Sequence, residues 1–456
     1  MKKWIALLLA LTMLTGLTAC SKPAEQTTED SQTETSTETE TDTTTDTETE
    51  TAPEEEGLSG KLVFWTQWNE TETQGQVFQE YADDFMALHE GVEIEIQFCG
   101  RDIDKTLKAA LDGGEVIDIY DYPLAYGAEL ADKTLDLTEY LKKPYSSTDG
   151  KTLEEVISPA LLATAKAQTQ TQDQQLAVGY SPYLLSFMYN ADIFEQAGVT
   201  AAPTTWEELD AVCAAIKEQG IAPITFDDAY SYWLAGMYLS REKGEDFIAE
   251  LIADTTGEMW RDEAVVKMAK AFEDFANKGY FHENVGGNKW PAGQIDLGTG
   301  KAAMYYNATW LPNEIRDTTG PDFNWGAFTY PDTNPGAGTS SVDSEAGGSS
   351  MLAVSKSCAK PELAMEFIAF MYTPENDQKM VEMTASIPSG STTPWPDELV
   401  NVQPVFNSVT SILKVAGGID ANADIKALLS ENVIQLCAGK ITADQFVENM
   451  VAATKQ

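Results

Sequence analysis

Between Lys61 and Ile119 the hydrophobic pattern switches repeatedly between strand and helix periods, and this alternation restricts the fold more than any other feature of the chain. Lys61 to Trp65 (KLVFW) has the length and apolar continuity of a buried strand. Phe78, Tyr81, Ala82, Phe85 and Leu88 then share one face of a helix that Gly91 stops. Val92, Ile94, Ile96 and Phe98 alternate with polar residues as a second strand. A short helix around Ile103, Leu107 and Leu111 ends at Gly113-Gly114, and Val116, Ile117 and Ile119 form a third strand. Strands and helices in this order, with short connections, imply a parallel sheet flanked by helices. Ligands of such sheets sit outside the carboxyl ends of the strands. Those ends carry Trp65-Thr66-Gln67-Trp68-Asn69-Glu70 and Tyr120-Asp121-Tyr122.

Further along, Thr205 before Trp206-Glu207-Glu208 reads as a capped helix start with acids in its first turn, and the helix runs to Gly220. The pattern predicts other helices at about 244–253, 262–278, 361–372 (opening on Pro361) and 423–438, and a last one carrying Phe446, Val447 and Met450.

The N-terminus addresses the compartment. Lys2 and Lys3 precede a short apolar stretch, Trp4 to Leu17, and small residues lead to Cys20. This is the order of a secretory signal, and the run is too short to span a bilayer comfortably, since a spanning helix needs about 20 apolar residues. Leu17-Thr18-Ala19-Cys20 resembles the bacterial lipobox, which implies a signal over 1–19 and lipid on Cys20. Residues 20–58 are dominated by Thr and acids, with 13 acids between Glu25 and Glu56, a composition suited to a solvated, self-repelling tether. Without the three basic and 13 acidic residues of the first 60, the totals of 29 and 73 fall to a net charge of −34. Such a body argues against nucleic acid and against anionic ligands held by bulk field. Cys99, Cys213, Cys358 and Cys437 lack the CxxC spacing of a metal cluster, and His89 and His282 are the only histidines. Gly298-Thr299-Gly300-Lys301 is no P-loop, because Ile295 stands where the first Gly belongs and Ala302 replaces Ser or Thr.

Leu184 to Leu209 (LLSFMYNADIFEQAGVTAAPTTWEEL) resembles the signature of family 1 extracellular solute-binding proteins, the maltose-binding-protein-like group. Its core is Tyr189-Asn190, Phe194, Gly198, Pro203-Thr204-Thr205-Trp206 and Glu208-Leu209. Leu107 to Ile119 is similar to a second family element, with Val116-Ile117 where a proline precedes Asp118. Gly300-Lys301-Ala302-Ala303-Met304 with Trp310 resembles a third, with Asn307-Ala308-Thr309 where glycine is frequent, and Gly439-Lys440-Ile441-Thr442-Ala443 resembles a fourth. The resemblance implies two α/β lobes, each a sheet flanked by helices, joined by hinge strands. The N-lobe would comprise 59–181 plus 350–397 and the C-lobe 182–349 plus 398–456. It also implies a monomer that hands its solute to the permease subunits of an ABC importer with a separate ATPase, using no cofactor or metal of its own.

Sugar rings expose apolar faces and hydroxyl edges, so a sugar site needs aromatic platforms with neutral or acidic hydrogen-bond partners. Strand ends and resemblance together nominate Trp68, Asn69 and Glu70 in the first loop, and Asp121 and Tyr122 in the third. They also nominate Tyr183 and Glu345 at the lobe crossings. In Asp227-Asp228-Ala229-Tyr230-Ser231-Tyr232-Trp233 the resemblance gives the site roles to Asp228, Tyr230 and Trp233, with Tyr232 packing inside, and it makes Trp310 the main stacking platform. Trp65 is expected in the core. Three other readings stay open: a cationic solute such as a polyamine or peptide, which the acidic body allows; an anchored glycoside hydrolase, which needs only two suitably spaced carboxylates; and a structural adhesin, which the two-lobe pattern disfavours.

Overall fold

The computed structural model describes residues 58–123, 129–169, 173–336 and 338–455. The expected signal at 1–19, Cys20 and the acidic segment up to residue 57 lie outside the described residues. The strands are β1 (Ser59–Thr66), β2 (Gly91–Phe98), β3 (Ile119–Pro123), β4 (Val178–Asn190), β5 (Ala222–Thr225), β6 (Ala302–Ala308), β7 (Trp325–Phe328), β8 (Ser344–Val354) and β9 (Ser411–Leu413). They hydrogen-bond in the order β2-β1-β3-β8-β4-β6-β5, with β7 on β4 and β9 on β8.

β1 lies parallel to β2 and β3, as the alternating pattern requires, whereas β4 and β8 run antiparallel to each other. These two long strands belong to both halves. Val178 to Tyr180 of β4 pair with Ser350 to Leu352 of β8, which in turn pairs with β3. Leu185 to Tyr189 of β4 pair instead with β6. The apolar contacts divide in the same way. Leu62, Phe64, Phe78, Phe85, Val178, Leu352 and Phe367 form one core. Leu185, Phe187, Met188, Tyr305, Phe328 and Phe446 form another, on the far side of the crossing. A smaller cluster of Ile103, Leu107, Tyr120, Tyr122 and Met351 covers the other face of β3. This is the expected two-lobe α/β fold with shared hinge strands.

At the crossing the β4–β8 register shifts between Tyr180 and Tyr183, and Ser181 takes a positive φ of 43°. Glycine is needed opposite: a Cβ on Gly348 would lie 2.7 Å from the Tyr183 hydroxyl, and one on Gly347 2.8 Å from the Tyr183 carbonyl.

Three expectations change in detail. The third strand begins at Ile119 and Val116 is exposed, because the Asp118 carboxylate accepts the Val63 N–H at 2.9 Å and takes the place of a ladder bond. Leu88 is 67% exposed, since the helix Thr73–Leu88 outruns the core and the His89 ring packs at a tilt on Phe85, centroids 4.5 Å apart, instead. The helix expected at about 244–253 is preceded by another, because Ser231–Ala253 is two helical runs divided by a non-helical Gly244 (φ 83°). Among the described residues no helix is long and apolar enough to cross a membrane.

Candidate ligand-binding site

The loop after β1 is shaped by hydrogen bonds beneath it. Asp121, fully buried on β3, accepts from Thr66 Oγ1 at 2.6 Å, Gln67 Nε2 at 2.9 Å and Tyr180 Oη at 2.6 Å. Burial pushes its carboxyl up to about 6 in spite of these donors. Trp68 lies half-buried above, its indole N–H donating to Tyr180 Oη at 2.7 Å. The Arg101 guanidinium covers the Trp68 ring, 4.6 Å from its centroid, and is held by Glu72 at 2.7 Å and the Gln67 carbonyl at 2.6 Å. Asn69 spends its backbone and side-chain N–H groups on Glu72, at 2.6 and 2.8 Å, and Glu70 is exposed.

The facing wall comes from the other half. β6 ends at Ala308, and Trp310 follows, half-buried at the start of the helix Leu311–Glu314. Its ring meets Tyr183 edge-on at 4.9 Å and Trp233 at 6.1 Å, and Trp233 in turn lies 4.4 Å from Tyr230. The indole N–H groups of Trp310 and Trp233 are both buried without a hydrogen-bond partner among the described residues. Buried donors are nearly always paired, so two unpaired ones in a single aromatic cluster are unusual.

Glu314 is exposed to solvent, yet surrounding protein raises its pKa, with Asp227 adding to the effect and a 2.5 Å bond from Gln294 Nε2 and the charge of Arg101 opposing it. An open carboxyl in such surroundings sits in a concave wall. Burial, then Glu314 and Asp227, push the Tyr230 phenol up, and Arg101 again pulls the other way. Arg101 from one half thus lies within electrostatic reach of Glu314 and Tyr230 of the other.

The nominated residues therefore divide. Trp68, Tyr183, Tyr230 and Trp310 supply aromatic surface, while Trp233, only 5% exposed, packs behind Trp310 and Tyr230. Asp228 is half-buried at the rim; burial works to raise its pKa, but Lys289 at 2.7 Å and the Trp290 N–H at 3.1 Å outweigh it and hold the carboxyl low. Asp121, Tyr122 and Glu345 lie in the interior, contrary to a place on the cleft surface. Glu345 is fully buried against Arg241 at 3.6 Å and accepts from Tyr306 Oη at 2.8 Å and the Ala346 N–H at 2.8 Å. A buried arginine requires such a counter-charge, and that requirement explains the position. Tyr232 is buried and Trp65 packs against the cluster behind β3, both as expected.

Arg101, Gln294 and Glu314 escaped the sequence reading. Arg101 is an isolated cation after a strand, and Gln294 and Glu314 sit on short helices with no spacing signal. The four described cysteines are unbridged, and among the described residues no group of His, Cys, Asp and Glu is placed to hold a metal. A concavity of about 740 Å³ is lined by Asp228, Lys289, Lys426, Ser430 and Glu431 among others.

The sequence profile of the bacterial extracellular solute-binding proteins matches residues 38–378. The chain belongs to that family. Comparison with curated protein sequences finds no match. Among solved structures, a chitin oligosaccharide binding protein is similar at 22% identity and a TM-score of 0.65, over 87% of this chain and 98% of that one. A probable secreted solute-binding lipoprotein from Streptomyces coelicolor aligns at 17% identity and a TM-score of 0.67, over 86% and 98%. The solute-binding protein RafE in complex with raffinose aligns at 17% and 0.64, over 86% and 98%. At these identities the likeness establishes the two-lobe fold of this solute-binding protein.

Proposed function

We propose that this solute-binding protein captures a sugar or oligosaccharide between its lobes and delivers it to the permease of an ABC importer whose ATPase is a separate chain. The observation that carries the reading is the cluster of Trp310, Trp233, Tyr183 and Tyr230, with its two unpaired indole N–H groups. Ring faces suit the CH surfaces of a sugar, and free donors suit its hydroxyls. Two structural neighbours, which bind a chitin oligosaccharide and raffinose, point the same way. We assign 59–181 with 350–397 to one lobe and 182–349 with 398–456 to the other, and attach the protein to the outer face of the membrane through lipid on Cys20, as a monomer.

A cationic solute has one observation in its favour, the open Glu314 carboxylate in the cleft, and the charge of Arg101 against it. The test is a thermal-shift panel of mono- and oligosaccharides with spermidine as a further arm. A ligand that binds only the native state raises the melting temperature by mass action, by about 2.7 kcal/mol of stability at a hundredfold excess over Kd. Small-angle scattering with the responding sugar should show compaction. A response to spermidine alone refutes the carbohydrate reading.

A further inference from the structure

We propose that Asp121 and Tyr180 are positioning residues that fix the Trp68 platform and tie it to both hinge strands. The inference rests on Trp68 being part of the ligand site. Three observations carry it. First, the chain of bonds is continuous: Trp68 Nε1 donates to Tyr180 Oη at 2.7 Å, and Tyr180 Oη donates to Asp121 Oδ1 at 2.6 Å. Second, each member has a specific seat. The Tyr180 ring packs edge-on against Phe78 at 5.3 Å, and the Trp68 backbone N–H donates to Thr66 Oγ1 at 3.3 Å, the same hydroxyl that donates to Asp121. Third, the network reaches both shared strands. Tyr180 lies on β4 just before the register shift, and Gln67 Nε2 bridges Asp121 at 2.9 Å and Ser350 Oγ on β8 at 3.0 Å. Tyr180 and Ser350 are direct partners across the β4–β8 ladder.

Asp121 and Tyr180 are buried too deeply to touch a solute themselves, at 0% and 4% exposure. Their effect on binding must pass through Trp68. An ionised carboxylate accepts only, so it orients every hydroxyl and amide around it, and Tyr180 Oη, with its hydroxyl hydrogen directed at Asp121, is left as an acceptor for the indole. A change at the hinge that moves Tyr180 against Ser350 therefore moves the acceptor on which Trp68 is hung, and a solute pressing on Trp68 transmits along the same bonds.

The test has one arm that needs no ligand. In ¹⁵N spectra of the ligand-free protein, the indole signal lost in Trp68→Phe identifies Trp68. Its N–H should exchange with solvent at least about tenfold faster in Tyr180→Phe, which keeps the ring and removes only the hydroxyl. Exchange equal to wild type overturns the proposal. The second arm is a double-mutant cycle read as affinity for raffinose and for a chitin oligosaccharide. Tyr180→Phe should weaken binding about fivefold to tenfold in the Trp68 protein and by less than about twofold in the Trp68→Phe protein. An equal loss in both backgrounds marks Tyr180 as merely structural and overturns the proposal. If no sugar of the thermal-shift panel binds wild type, the carbohydrate reading fails, and the exchange arm alone decides the positioning role.

Discussion

Trp310→Ala separates a stacking platform from a packing residue within one protein. In the free protein Trp310 makes two edge-on ring contacts, with Tyr183 at 4.9 Å and Trp233 at 6.1 Å, and its indole N–H satisfies no partner. Each aromatic pair is worth about 0.5–1.5 kcal/mol beyond its area, so the two ring contacts account for roughly 1–3 kcal/mol of stability, in addition to the area that the half-buried ring hides. A residue enclosed on all sides would lose about 3–5 kcal/mol. In the complex the same side chain would lose a sugar face and its N–H bond together, and truncation of such a hot spot costs about 2 kcal/mol or more. Affinity should therefore fall at least about tenfold, as about 1.4 kcal/mol is one decade. Urea unfolding of the free variant gives the first quantity, and calorimetric titration with the sugar selected by thermal shift gives the second. Trp310→Phe, which keeps a ring and drops the N–H, should fall between the two proteins in affinity. A variant destabilised by about 3–5 kcal/mol that binds with unchanged affinity would refute the argument.

Three further outcomes are expected. Burial pushes the Asp121 carboxyl up to about 6 in the folded protein, against about 3.9 for an exposed one, so the native state takes up the proton first as pH falls. Its contribution thus raises stability on descending from pH 7 to pH 4, by up to about 3 kcal/mol; Asp121→Asn should remove that component, and identical pH profiles of unfolding would contradict it. Arg241, fully buried against Glu345, donates to the Tyr330 carbonyl at 2.9 Å and the Ser344 carbonyl at 2.7 Å. Arg241→Met should cost about 3–5 kcal/mol in denaturant, and adding Glu345→Leu should recover much of the loss. Cys20→Ala should abolish fatty-acid labelling and membrane fractionation; a variant that still labels disproves the lipobox assignment.

The architecture was legible where burial is one-sided. The helix Thr73–Leu88 and strand β2 each show a single apolar face, and the sequence period located both. It missed Ser231–Lys243 for the opposite reason: Ser231 through Glu242 are all buried, so no face alternates and the helical period is erased. At the site, large aromatics near strand ends were recognisable because their chemistry is specific. Acids were not. Asp121 and Glu345 look like surface ligands in sequence, and only three dimensions reveal that Tyr180 and Arg241 claim them. Conversely, Glu314 is one acid among 73, and its importance comes from Arg101, Asp227 and Gln294, none of which is its neighbour in sequence.

The close approach of Gly348 to Tyr183 makes pivot and detector one object. The phenol rests on a backbone with no room for even a methyl group, at the point where the ladder loses its register, and the edge of the same ring meets Trp310. Any bend along this line has to roll Tyr183 over Gly348 and carry its ring across the face of the indole. On the proposed sugar reading, a solute lodged on Trp310 would be a wedge placed at the axle itself, where a displacement of a fraction of an ångström becomes an angular change that grows with distance along both lobes.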